Sequence, residues 1–239
     1  MNPTTQLPNY PTNQSVSPAL RHFILFVDRL VVFVADHWLL LVSLSLVVFA
    51  GLPFLAPVLM HWGYTDPAQL IYMGYRLTCH QLPYRSWFLF GEQPVYTLDQ
   101  LRAALSVDTD DIFFWTTFQG NPQLGYKVAW CERDTAMYIS LLIAGLAFGL
   151  VRRRLKPLDW RAYLLFLAPM AIDGTTQLIG LRESDWLWRS ITGALFGVGS
   201  VWLVYPYVEA AMRDVQAQAR EQWRKAVISQ SVISNQLPD

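Results

Sequence analysis

Charge is what this sequence has least of. Only 15% of its 239 residues are Asp, Glu, Lys or Arg, against roughly a quarter in an ordinary soluble domain. Neither sign is in excess, since 18 basic residues face 18 acidic ones. That balance excludes the basic footprint that a nucleic-acid partner requires. Cysteine is scarce as well. Two cysteines exclude a disulfide scaffold and leave one bridge, or part of a metal site. Internal repeats and Gly-rich phosphate loops are missing.

What the chain has in plenty is apolar surface. Hydrophobic residues make up 53% of it, and ten Trp and eleven Tyr are present, types that collect at membrane–water boundaries. The class is an all-α polytopic membrane protein with the lipid bilayer as its first partner. Four spans are expected, at about 38–60, 135–151, 162–181 and 190–208. The first is an uncharged run of 23 residues, Trp38 to Met60, long enough for roughly 30 Å of hydrocarbon at 1.5 Å per residue. The third is interrupted only by Asp173.

Outside the spans, residues 1–19 are rich in Pro, Asn, Thr, Gln and Ser and read as a disordered cytoplasmic tail. Residues 20–36 are apolar but carry Asp28-Arg29 at their centre, which suits an amphipathic helix lying in the interface. Residues 37–208 form the membrane domain, and 209–239 a cytoplasmic helical tail. The link after the second span holds Arg152, Arg153, Arg154, Lys156 and Arg161, and a basic loop faces the cytoplasm. Four spans then place both termini inside and residues 61–134 outside, as one long segment with short helices. One of these starts at Thr97-Leu98-Asp99-Gln100, which has the spacing of a capping box.

The chemistry-bearing residues lie in that outer segment and at the adjoining span ends. If 69–79 is helical, Tyr72, Arg76 and His80 share a face, with Cys79 beside them. Cys131-Glu132-Arg133-Asp134 stands at the mouth of the second span. Asp173 lies roughly 12 Å inside the third span, and a carboxylate at that depth is costly unless paired, protonated or facing water. Gln177 is one turn above it. The turn adds Arg182 and Ser184, and the fourth span opens with Arg189 and Thr192. Gly193/Gly197 and Gly145/Gly149 are small-xxx-small pairs that let helices approach closely. Such packing would gather Asp134, Asp173, Arg182 and Arg189 near one surface.

Four ordered blocks resemble a known family. Cys79-His80-Gln81-Leu82-Pro83-Tyr84-Arg85-Ser86 is similar to the Cys-His-x-x-Pro-x-Arg-Ser signature of the prokaryotic membrane family catalogued as domain of unknown function 2085. Cys131 to Tyr138, Asp173 to Gln177, and Arg182-x-Ser184 with Arg189-x-x-Thr192-Gly193 are similar to its later blocks. The resemblance implies a polytopic protein of a prokaryotic plasma (inner) membrane and brings no activity with it. Asp134 stands where many relatives have a second cysteine, and Trp186 where they have Asn.

Three readings of the cluster stay open. Cys79 and Cys131 can form a disulfide, which makes the protein a non-catalytic membrane subunit. Alternatively Cys79, Cys131 and Asp134 hold a zinc-like divalent metal, because zinc accepts mixed sulfur and oxygen donors and three protein ligands leave a position for water. His80 or Asp173 would then act as base in a metal-assisted hydrolysis. Arg85, Ser86, Arg133, Gln177, Arg182, Ser184, Arg189 and Thr192 would bind an anionic small molecule or lipid headgroup, since guanidinium forks suit such oxygens. The third reading is a thiol-exchange site at Cys79. A hypothesis of another class makes the protein a small carrier or channel subunit with Asp173 and Gln177 as its permeation site.

Overall fold

The computed structural model describes residues 17–234. The expected disordered tail falls almost wholly outside these residues, as does the last part of the C-terminal segment. The elements in chain order are α1 (Pro18–His61), α2 (Thr65–Tyr75), a 3-10 turn (Pro83–Arg85), β1 (Ser86–Leu89), α3 (Leu98–Leu105) and α4 (Ile112–Thr117). They continue with β2 (Gly120–Asn121), β3 (Gly125–Cys131), α5 (Glu132–Val151), α6 (Trp160–Leu178) and α7 (Trp186–Ser234).

Three of these helices are long and apolar enough to cross a membrane: α1 over His22–His61, α5, and α7 over Trp186–Gln222. The expected interfacial helix at 20–36 is not a separate element. Nothing between Asp28 and Trp38 breaks a helix, so the segment runs on as the first half of α1. Helix α6 is not among the three. Its second half carries Asp173, Thr175, Thr176 and Gln177, and it ends at Leu178 rather than 181.

Residues 39–209 make one compact unit, and among the described residues 17–38 and 210–234 make another. In the second, Gln216 Nε2 donates to the Ala35 carbonyl at 2.8 Å.

Within residues 39–209 the helices meet through glycines. A Cβ on Gly193 would lie 2.5 Å from the Arg133 carbonyl oxygen, and one on Gly197 2.0 Å from Ser140 Oγ. The backbones of α5 and α7 approach this closely only because both positions lack a side chain. Gly145 on α5 faces the Tyr205 ring, while Gly199 on α7 faces Phe166 of α6. Tyr163 and Ser200 add a hydroxyl pair at 3.0 Å between α6 and α7.

The segment between α1 and α5 holds a sheet that the sequence reading did not anticipate. Its order is β1-β3-β2, antiparallel throughout, with Phe88 opposite Lys127 and Gly120 opposite Tyr126. Gly125 opens β3 at φ +78°, where a Cβ would strike the Leu89 carbonyl at 2.3 Å, so the hairpin requires glycine there. The expected capping box is present, with Thr97 accepting from the Gln100 amide and Gln100 answering at the Thr97 amide. One apolar cluster joins Ala50 and Ala56 of α1 to Tyr72, Tyr75, Cys79 and the buried Val128-Ala129-Trp130 of β3. A second collects Leu82, Phe88, Tyr96, Leu101, Trp115 and Leu124. Trp115 thus belongs to a core, while its neighbours Ile112 and Phe113 are exposed.

Candidate functional site

Strand β3 and helix α5 are continuous, and their junction builds the site. Cys131 ends the strand in an extended conformation and caps the helix, its Sγ accepting from the Asp134 amide at 3.4 Å. The Cys131 amide donates in turn to Cys79 Sγ at 3.3 Å. Cys79 is placed by the end of α2, where its own amide bonds the Tyr75 carbonyl at 3.0 Å. Both cysteines are free thiols. Cys79 Sγ, Cys131 Sγ and a carboxylate oxygen of Asp134 all lie within 4.8 Å of one another. The neighbouring Cys79 thiol, then burial and the Asp134 charge, push the Cys131 thiol well above its ordinary pKa.

Two soft sulfurs and one carboxylate suit a thiophilic divalent cation. Around tetrahedral zinc such donors stand about 3.5–3.8 Å apart, so the set fits with a small contraction. A positive ion would also relieve the crowding that opposes the Cys131 thiolate. His80 lies outside this group. It follows the end of α2 instead of continuing its Tyr72–Arg76 face, and its side chain is exposed.

The arginines sort into two sets. Asp173, only 2% exposed, accepts from Arg133 Nη2 on one oxygen at 2.5 Å and from Arg182 Nη2 on the other. Gln177 Oε1 accepts from Arg133 at 3.3 Å. Asp173 thus ties α5, α6 and the turn before α7 together. The second set is Arg189 on Glu132 at 3.0 Å, both buried. Arg85 stands close enough to feel Arg189, Glu183, Cys131 and Glu132. Burial and then Arg189 lower its guanidinium pKa from the ordinary value. The Nε atoms of Arg85, Arg133 and Arg189 and Nε2 of Gln177 are buried without a hydrogen-bond partner.

Asp134 therefore keeps to the cysteines, and the single gathering expected of Asp134, Asp173, Arg182 and Arg189 is divided. Ser86, Ser184 and Thr192 are buried, with hydroxyls turned to the nearby carbonyls of Leu82, Asp185 and Arg189. Two residues went unnoticed in the sequence. Glu132 was hidden between the more conspicuous Cys131 and Asp134. Lys127, a lone cation in the apolar run Tyr126 to Trp130, is fully buried and donates to the Gln81 and Thr116 carbonyls at 2.6 and 3.1 Å. Burial pushes its pKa down to about 7, with Arg76 adding to the effect.

Residues 123–203 match the family model described as "Predicted membrane protein (DUF2085)". An uncharacterized protein of Methanocaldococcus jannaschii is 31% identical over 176 residues, which cover 70% of this chain and 90% of that protein. The chain belongs to this family. As a member of domain of unknown function 2085 it is a membrane protein with an archaeal relative. The matched stretch takes in Cys131, Asp173, Arg182 and Arg189, while Cys79 to Ser86 lie upstream of it. No solved structure matches the chain.

Proposed function

We propose that this protein holds a zinc-like divalent cation at Cys79, Cys131 and Asp134, on the outer side of a prokaryotic plasma membrane. Beside the cation an anionic ligand would be bound, an arrangement suited to metal-assisted hydrolysis. The observation that carries the reading is the convergence of three ligand atoms within 4.8 Å at the start of α5. Such a cation supplies a Lewis acid and lowers the pKa of bound water, and three protein ligands leave a position for that water. The chain's own part is to orient. Cys131 is fixed by the strand–helix junction and Cys79 by the Cys131 amide.

In this reading α6 is a fourth span. Its polar half would be sheltered because Arg133 and Arg182 cover the Asp173 carboxylate. Both termini and the basic Arg152–Arg161 link would then face the cytoplasm. Reporter fusions after residues 156 and 182 should score on opposite sides, and a common side would remove the fourth span.

Elemental analysis combined with thiol counting tests the cation directly. One zinc per chain, lost in Cys131→Ser and in Asp134→Asn, is the expected result. A metal-free protein with no reactive thiol in the native form and two after reduction overturns it in favour of a structural disulfide. A metal-free protein with two free thiols overturns both.

A further inference from the structure

Helix α2 carries an apolar face on the side away from the core. Ala68, Tyr72 and Tyr75, at helical spacing, are buried against α1 and β3. Leu70 and Met73, with Leu77 just past the helix end, fall on the opposite side and are 63%, 61% and 91% exposed. A helix that is apolar on both faces needs cover on both. Trp62 and Tyr64, in the link from α1 to α2, are exposed as well, and such residues collect at the membrane boundary.

Contacts with α1 and α5 set the depth of this helix. A Cβ on Gly149 of α5 would lie 3.3 Å from Leu39 of α1. The Tyr138 ring of α5 meets the Phe49 ring of α1 at 5.0 Å, so the two helices lie side by side and antiparallel. Tyr75 of α2 then donates its hydroxyl to the Phe49 carbonyl at 2.7 Å. The end of α2 thus reaches the level of Tyr138, roughly 9 Å from the start of α5 at 1.5 Å per residue. With the charged turn Glu132 to Asp134 in the headgroup layer, that level is the edge of the hydrocarbon. Apolar surface is already exposed there, since Leu44, Val48, Phe49 and Leu52 of α1 share with Tyr75 a groove of about 860 Å³. The polar residues fit the same depth. Asp66, Gln69 and Arg76 line, with Gln119, a separate groove of about 420 Å³ on the flank of α2. His80 is exposed beyond the helix end, in a layer where such side chains keep their polar tips in water.

We infer that α2 is a re-entrant helix of the outer leaflet, turning back toward the bilayer after Trp62 with Leu70, Met73 and Leu77 against the acyl chains. The occupant of this face is lipid, because the face reaches the same depth as the apolar groove on α1 and adjoins it at Tyr75. The inference rests on α5 spanning the membrane in the orientation proposed above. It depends neither on the cation nor on α6. Cys79, four residues beyond Tyr75, is thereby carried to the headgroup boundary and does not stand in the outer water.

The test uses the full chain in phosphatidylcholine liposomes containing a phosphatidylcholine with a diazirine midway along one acyl chain. After irradiation, lipid adducts on residues 70–77 should come within about threefold of those on residues 44–52 of α1. They should exceed those on the exposed Ala103 and Ala104 of α3 at least about tenfold. Leu70→Glu combined with Met73→Glu, at two exposed positions, should cut the α2 adducts about fivefold and leave those on α1 unchanged. Undiminished α2 adducts in that variant overturn the assignment of the face. Adducts on the exposed Ile143 and Leu146 of α5, with α2 labelled no more than α3, overturn this inference alone. Absence of adducts from both α5 and α2 overturns the membrane placement on which it rests.

Discussion

Arg189 donates to Glu132 at 3.0 Å, and both side chains are buried where α7 begins beside the first turn of α5. Removing one partner of such a pair leaves an uncompensated charge and costs about 3–5 kcal/mol, although replacing both with apolar residues can be close to neutral. Arg189→Met should therefore lower the thermal midpoint sharply, and Arg189→Met with Glu132→Leu should recover much of the loss. A double variant as unstable as the sum of the single ones would show that the pair is not coupled.

The α5–α7 contact predicts a position-specific intolerance. Gly197→Ala places a methyl against Ser140 Oγ and the Met137 carbonyl, and forcing atoms into a packed interface costs about 1–3 kcal/mol. Gly51→Ala meets nothing within 4 Å and should be neutral or mildly stabilising. Heat-induced aggregation of the detergent-solubilised variants would separate them. Similar midpoints would argue against the close approach.

Lys127 predicts a pH slope. Its pKa is about 7 in the fold and near 10.4 in the unfolded chain, so between those values the unfolded state carries more protons and stability rises with pH. The opposing effect of Cys131, whose raised pKa favours the fold as a thiol, begins only as unfolded thiols ionise above about 8.5. From pH 7 to 8.5 the protein should gain up to about 1.4 kcal/mol per unit from Lys127, and Lys127→Met should lose that gain. Parallel stability curves for the two proteins would show that the lysine stays charged.

The two thiols predict competition between oxidation and metal. Cys79 and Cys131 are 52 residues apart in sequence, and joining them would constrain the unfolded chain by about 4 kcal/mol on the loop-entropy model. Diamide treatment should remove both free thiols and raise the thermal midpoint in metal-free protein. Preloading with zinc should block the change. Oxidation at the same rate with zinc present would mean that the ion binds elsewhere.

Much of the architecture was legible in the sequence because hydrocarbon imposes a simple demand. A long uncharged run must be helical to satisfy its own backbone, so the stretches around α1, α5 and α7 could be read directly. The Thr97 capping box and the Gly193/Gly197 and Gly145 contacts were legible for similar reasons, since each depends on residues a few positions apart. The three metal candidates were also named from residue type alone. The sheet was not, because β3 is covered on both faces and shows no alternation from Val128 to Trp130. Nor was His80 placed correctly, since α2 stops at Tyr75 and the chain then leaves the helical face.

The sequence by itself determined membrane residence, the long apolar helices and the inventory of sulfurs, acids and guanidinium groups. Those properties follow from composition and from spacing within one turn. Tertiary structure alone decided which acid each arginine meets. It gave Asp173 to Arg133 and Arg182, Glu132 to Arg189, and Asp134 to the cysteines. The reason is physical: the arginines and their acids are 9 to 57 residues apart, and their pairing is fixed by the depth to which α5, α6 and α7 pack, which no local pattern encodes.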